Sequence, residues 1–339
     1  MKKPIKTGLL SFGMSGKVFH SPFLDTHENF ELTAIVERSE KKASQFYPNL
    51  KSYDTIYEIL ADPTIELIVV NTPNATHFDF TLQALQAGKH VLLEKPVTTT
   101  SAQAKRLYEE ATKHNRCLLP YQNRRFDSDF LSVKKIIDSG KLGRLAEVHF
   151  RYDRFRDTIG PKVAKEVPGP GSGLMWDLGP HLLDQAISVF GKPLKWTKTL
   201  GHFRKNTQVD DYVNFHLEYA DELQVFLTTS MLVADAQAAF VVHGTKGSFI
   251  KQRADVQEKQ LIDGISPENS SFGMEASGKE GILTTVSPDG SFFQERVVSE
   301  KSSYLNLFDS IYKTIREGKA YPITEEQIIS QLEILEEEY

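Results

Sequence analysis

Apolar residues in the first third of the chain come in short, nearly unbroken runs. IKTGLLSF, FELTAIVERS, IELIVVNTP, HVLLEKP and CLLPYQNRR are five of them. Strands covered on both faces read this way. Between the runs lie segments of helical period: SYDTIYEILAD, ATHFDFTLQALQAGK and TSAQAKRLYEEATKHN. Strand–helix alternation with right-handed crossovers predicts a doubly wound parallel sheet. Ser101 is placed to open one helix, and Gly88 to follow the last turn of another.

After about residue 125 the pattern changes. FLSVKKIIDSGKLG is helical to Gly140, and then longer alternating runs appear: RLAEVHFRYDRF, DYVNFHLEYA, ELQVFLTTSML, AAFVVHG and GSFIKQ. Alternation marks antiparallel strands with one solvated face. One amphipathic helix, GLMWDLGPHLLDQAISVFG, interrupts them. The predicted fold class is α/β: a doubly wound parallel sheet in residues 1–124, then an α+β domain in 125–339 with a large open, mostly antiparallel sheet. Segment 254–300, rich in Gly, Ser, Pro and Glu, reads as loop-dominated. TEEQIISQLEILEEEY is helical in period and has no stop signal. An open sheet of this kind ought to cover its exposed face.

A length of 339 residues suits two domains. With 40% hydrophobic and 25% charged residues and a net charge of −5, the chain does not read as a nucleic-acid or anionic-lipid binder. The one cysteine, Cys117, excludes an intramolecular disulfide framework. The opening MKKPIKTGLLSFG lacks the apolar run of a signal peptide. No stretch approaches the roughly 20 apolar residues of a membrane helix. A cytoplasmic protein is expected.

The chemistry starts at Ser11-Phe12-Gly13-Met14-Ser15-Gly16, a G-x-G-x-x-G turn whose first glycine is serine. It follows a strand and opens a helix, the context of a dinucleotide site. Gly13 lets backbone approach a pyrophosphate, and Gly16 permits close helix–strand packing. Glu37 ends the next strand about 20 residues downstream, where an acidic group meets the adenosine ribose. Its neighbour Arg38 suits the 2′-phosphate of NADP. The cofactor is therefore NADP or NAD, with a lean to NADP. Asn71, Thr72, Pro73 and His77 of NTPNATH follow the third run and are placed to reach the cofactor.

Glu94-Lys95-Pro96 ends the fourth run, where ligands of open α/β sheets bind. Lys95 there can donate to a substrate oxygen and stabilise its developing charge. Asp177 and His181 stand at i and i+4 in WDLGPHLLDQ and share a helix face. His181 suits a general base and Asp177 its orienting partner. Two ligands without a third do not make a metal site. Asn123, Arg124, Arg154 and Trp176 are the candidate substrate contacts, with Arg125 and Arg156 beside them.

These stretches, GLLSFGMSGKVFHSPFL, TPNATH, AGKHVLLEKP, NRRFDSDF and GSGLMWDLGPHLLDQ, resemble the Gfo/Idh/MocA oxidoreductase family over essentially the whole chain, and within it the subgroup like NADP-dependent scyllo-inositol dehydrogenase. The resemblance implies a Rossmann domain, a C-terminal domain whose open sheet commonly forms homodimer or homotetramer contacts, and Lys95, Asp177 and His181 as the catalytic group. Ser11 is a known departure in that subgroup, whereas Glu37 is less usual in an NADP member. The implied activity is hydride transfer between nicotinamide and a secondary alcohol of a sugar or cyclic polyol. Its rivals are glycoside cleavage through transient redox at bound NAD and a non-catalytic cofactor sensor. Lys95, Asp177 and His181 argue against the sensor.

Overall fold

Strands β1 (Ile5–Leu9), β2 (Phe30–Val36), β4 (Leu67–Val70), β5 (His90–Leu93) and β6 (Leu118–Pro120) of the computed structural model come from the five apolar runs. The structure describes residues 3–160 and 163–337. A short sixth strand, β3 (Lys51–Tyr53), extends the sheet, whose order is β3-β2-β1-β4-β5-β6. Every pairing is parallel. Succession reverses direction between β1 and β4, the topological switch point where such sheets bind ligands. The helices between the strands include Ile56–Ala61, His77–Gln86 and Ser101–Lys113.

The capping of Ser101–Lys113 differs from expectation. Thr100, extended and outside the helix, accepts from Gln103 N–H, and Ser101 is the first helical residue. Gly88 follows His77–Gln86 with φ +74°, a conformation that favours glycine.

The alternating runs build a second sheet from β7 (Leu145–Arg151), β8 (Lys195–Gly201), β9 (Tyr212–Glu218), β10 (Gln224–Ser230), β11 (Phe240–Gly244), β12 (Gly247–Lys251), β13 (Gly281–Val286) and β14 (Phe292–Val297). Its order is β14-β13-β12-β11-β7-β10-β9-β8, antiparallel except for the parallel pair β7–β10. Helix Gly173–Phe190 packs on β9 and β10, and helix Ser128–Asp138 on β12. Phe130 of the latter meets Phe150 and Phe240 edge-on and tilted, at 6.1 and 6.4 Å between ring centres. On the opposite face His149, Phe226 and His216 stack in parallel, half-exposed, at 5.0 and 4.5 Å.

Segment 254–300 is loop over more than half of its length, and it also holds helix Val256–Ile262 and strands β13 and β14. The side chains of β14 are largely exposed, so the sequence there lacks the apolar alternation that marks a half-buried strand. The C-terminal helical run forms Glu325–Glu336; Glu338 and Tyr339 lie outside the described residues.

The chain divides into two compact units. The first takes in Met1–Asn123, Gln257–Phe272 and Ser303–Ile329; the second takes in Arg124–Val256, Gly273–Ser302 and Ser330–Tyr339. Among the described residues, no helix is long and apolar enough to cross a membrane.

Candidate active site

In the first unit the glycine turn follows β1. Ser11 takes over part of the missing glycine's work, because its Oγ accepts from Gly13 N–H at 3.2 Å and closes the turn. A Cβ on Gly16 would stand 2.3 Å from Ser11 O and 2.9 Å from Asn71 Nδ2, so only glycine fits. A Cβ on Gly13 would meet only Ser11 Oγ, at 3.5 Å. That open flank suits a close-lying pyrophosphate. Asn71, buried at the end of β4, donates from Nδ2 to Ser11 O at 2.8 Å, while its Oδ1 is buried with no hydrogen-bond partner among the described residues. An orphaned buried acceptor beside an open glycine turn fits a dinucleotide that supplies donors. Met14 is largely exposed on this turn. Phe12 packs against Phe46 and Tyr47 at 5.9 and 6.2 Å between ring centres.

Glu37 has a local task. Its Oε1 accepts from Lys42 N–H and Ala43 N–H at 2.7 and 3.0 Å, and its Oε2 from Ser52 Oγ at 2.9 Å. The carboxylate thus pins the segment after β2 to β3. Arg38 beside it is exposed. Thr72 Oγ1 pairs with Thr76 Oγ1 at 2.7 Å, and Pro73 O accepts from Thr76 N–H. These bonds shape the turn after β4.

Glu94-Lys95-Pro96 continues from β5, on the same edge of the sheet as the glycine turn and Asn71. Lys95 is half-buried. Glu94 lies 2.9 Å from His20 through Oε1 and accepts Lys95 N–H at 3.2 Å through Oε2. Burial pushes the Glu94 carboxyl up, but the His20 hydrogen bond and the charges of His20, Lys95 and His77 outweigh burial and hold it below its usual range. His77 is buried, with Nδ1 2.6 Å from Pro96 O and Nε2 2.9 Å from Thr72 O. Burial lowers its pKa.

In the second unit helix Gly173–Phe190 carries Trp176, Asp177 and His181. Pro180 lies inside this helix, and its carbonyl accepts from Gln331 Nε2 at 2.8 Å. Gly179 seats the helix against the sheet, since a Cβ there would touch Phe215 at 3.3 Å. Asp177 is half-buried and ion-paired with Lys165. His181 is buried, its ring near-parallel to Tyr152 at 6.4 Å. Three guanidinium groups surround that tyrosine: Arg253 at 4.1 Å, Arg154 at 5.3 Å and Arg124 at 5.8 Å.

Arg124 is bound to Asp255 at 2.6 Å and Asp127 at 3.2 Å, so its charge is matched locally. Arg125 grips Asp184 through two bonds of 2.7 Å and anchors the helix. Trp176 is half-buried, Asn123 is buried in the first unit, and Arg156 is exposed. Sequence reasoning missed His20, Lys165 and Tyr152. The contacts of His20 with Glu94 span 74 positions, and no local pattern announces them.

The chain matches the model of an oxidoreductase family with an NAD-binding Rossmann fold over residues 5–122, and that of the GFO/IDH/MocA C-terminal domain over 130–250. It is 37% identical to an uncharacterised oxidoreductase of Schizosaccharomyces pombe, over 99% of this chain and 96% of the relative. It is 35% identical to the scyllo-inositol 2-dehydrogenase (NADP(+)) IolW of Bacillus subtilis, over 98% of this chain and 92% of the relative. The solved structure of the oxidoreductase yvaA of Bacillus subtilis superposes with a TM-score of 0.94 at 35% identity, covering 98% of this chain and 95% of that one. With both family models matched in chain order and a relative alike over nearly its full length, this chain belongs to the Gfo/Idh/MocA family of oxidoreductases and is an NAD(P)-binding dehydrogenase that acts on CH–OH groups.

Proposed function

We propose that the chain transfers hydride between a nicotinamide dinucleotide, NADP in preference to NAD, and a secondary alcohol of a sugar or inositol-like polyol. The observation that carries this reading is the convergence on one sheet edge of the open glycine turn, the orphaned Asn71 acceptor and the Lys95 turn. The substrate class draws on the relative named a scyllo-inositol dehydrogenase. The preference for NADP draws on Glu37, whose carboxylate already holds three donors, and on the exposed Arg38 next to it. A cytoplasmic homo-oligomer covering the His149–Phe226–His216 face completes the proposal.

Backbone from Ser11 to Met14 would hold the pyrophosphate, and Arg38 a 2′-phosphate. Asn71, Thr72, Pro73 and Glu94 would line the remainder of the dinucleotide site, with His77 behind them. When bound, the nicotinamide supplies the hydride exchange. His181 takes the proton of the substrate hydroxyl as general base. The Lys95 ammonium donates to the same oxygen and stabilises the charge it develops. Asp177 orients substrate or imidazole. Asn123, Arg124, Arg154 and Trp176 contact the remaining hydroxyls.

The test is nicotinamide absorbance with NAD and NADP against inositols, aldoses and simple polyols. Lys95→Ala and His181→Ala should each lose at least ~100-fold in kcat while keeping cofactor affinity. Near-normal turnover in either variant removes that residue from the mechanism. Silence of the wild-type protein across the panel, with cofactor bound, counts against a polyol dehydrogenase.

A further inference from the structure

We infer that His20 is a positioning residue for Lys95 and couples the dinucleotide turn to the group that polarises the substrate oxygen; the inference rests on the function proposed above. The glycine turn runs directly into a helical segment whose first turn is wide. Ser21 N–H donates to Gly16 O, five residues back. Such π turns concentrate at functional sites. His20 closes this turn and is fully buried. Its Nε2–H donates to Glu94 Oε1 at 2.9 Å, and Glu94 Oε2 accepts Lys95 N–H at 3.2 Å. One carboxylate therefore ties the end of the π turn to the peptide that bears Lys95.

On the other flank His77 Nδ1 lies 2.6 Å from Pro96 O and Nε2 2.9 Å from Thr72 O. A neutral imidazole carries one N–H, so it bonds one of these carbonyls and packs against the other.

The arrangement acts as a brace. His20 Nδ1 is buried and has no hydrogen-bond partner among the described residues. The imidazole cannot swing away. It packs on Tyr121 at 4.4 Å, and Tyr121 O–H is itself fixed to Phe19 O at 2.8 Å. Because Glu94 is held as a carboxylate, the acceptor persists at neutral pH.

The experiment compares full-length His20→Leu, His20→Gln and His20→Asn. A glutamine amide reaches about as far as Nε2, and an asparagine amide does not. Four quantities are read: kcat against KM, NADPH Kd by fluorescence, Tm, and the rate of reductive methylation of Lys95 by mass spectrometry. The last needs no turnover. Misplacement of a reacting group by about 1 Å can cost ~100-fold. His20→Leu and His20→Asn should therefore lose ~10–100-fold in kcat, with KM and NADPH Kd within ~3-fold. Lys95 should methylate at least ~3-fold faster relative to the other lysines. His20→Gln should return kcat to within ~3-fold of wild type. If the leucine variant does not fold, the glutamine–asparagine pair decides.

Wild-type kcat and Lys95 reactivity in the asparagine variant overturn the inference. So does an equal loss in the glutamine and asparagine variants that tracks Tm, since packing alone would produce that. Should the wild-type protein oxidise no alcohol, the proposed function falls, and the methylation comparison still decides whether His20 holds Lys95.

Discussion

Gly13 and Gly16 sit three positions apart in one turn, yet their surroundings assign them opposite sensitivities. A methyl on Gly16 would press on Ser11 O at 2.3 Å and on Asn71 Nδ2 at 2.9 Å, and backbone cannot yield as a flexible side chain can. Gly16→Ala should cost about 1–3 kcal/mol of stability and weaken dinucleotide binding. A methyl on Gly13 meets open space apart from Ser11 Oγ at 3.5 Å. Gly13→Ala should melt within about 2 °C of wild type and still bind NADPH at least ~10-fold more weakly, because the new methyl fills the flank a pyrophosphate needs. Calorimetry and fluorescence titration separate the two. Parallel behaviour in both assays would mean that the turn does not face the cofactor. The spacing of the turn was legible in the sequence. The bond from Gly13 N–H to Ser11 Oγ was not, because a serine advertises no particular hydrogen-bond partner. Glu37 shows the converse limit: its position near the end of β2 was readable, and its three local donors were not.

Helix Gly173–Phe190 depends on an anchor outside itself. Its N-cap position, Ser172, makes no side-chain cap bond. Instead Asp210 Oδ2 accepts Met175 N–H at 2.6 Å, and Asp210 O accepts Leu174 N–H at 3.0 Å. Gly173 admits the carboxylate, since at its φ of +84° a Cβ would lie 2.1 Å from Asp210 Oδ1. Asp210→Ala should therefore cost about 1–2 kcal/mol, the usual loss for a helix cap. Asp210→Asn, which keeps an acceptor, should cost much less. Urea unfolding reads both, and equal losses would show that the first turn does not depend on this acceptor. The periodicity of Asp177 and His181 was visible in sequence because helix spacing is local. The anchor was not, since residues 35 positions apart meet only through folding. A different shortfall hides β3, whose three residues carry too little pattern, and β14, whose exposed side chains carry none.

Stability of the whole chain should fall on mild acidification, and His90 supplies one cause. Burial, with the charges of Arg116 and Arg316, pushes its pKa from 6.5 down to about 4, and its Nδ1 must stay unprotonated to accept Cys117 N–H at 3.0 Å. Between those values the unfolded chain binds a proton that the folded chain refuses. His90 thus contributes stability that is fully present above pH 6.5 and is lost as pH falls toward 4, at up to about 1.4 kcal/mol per pH unit. His90→Asn, whose amide oxygen stands about where Nδ1 does and does not titrate, should flatten that part of the urea-stability profile; an unchanged slope would exonerate His90. A second whole-chain consequence concerns residues 1–124, the stretch whose strand–helix rhythm reads as a self-contained domain. Phe23 stacks on Phe308 at 5.4 Å and also meets Tyr304 and Phe272 at 5.7 and 6.1 Å. Phe30 meets Phe308 and Tyr312 at 5.7 and 6.4 Å. These partners arrive from Gln257–Phe272 and Ser303–Ile329, far down the chain but within the same compact unit. Exposing Phe23 and Phe30 alone forfeits about 3–6 kcal/mol, against a total stability on the order of 5–15 kcal/mol for a domain. Residues 1–124 expressed alone should therefore show no cooperative thermal transition. Joining 303–329 to them through a Gly/Ser linker should restore one. A cooperative, monomeric melt of the 1–124 fragment by itself would show that the aromatic cluster is dispensable and that the first sheet is autonomous.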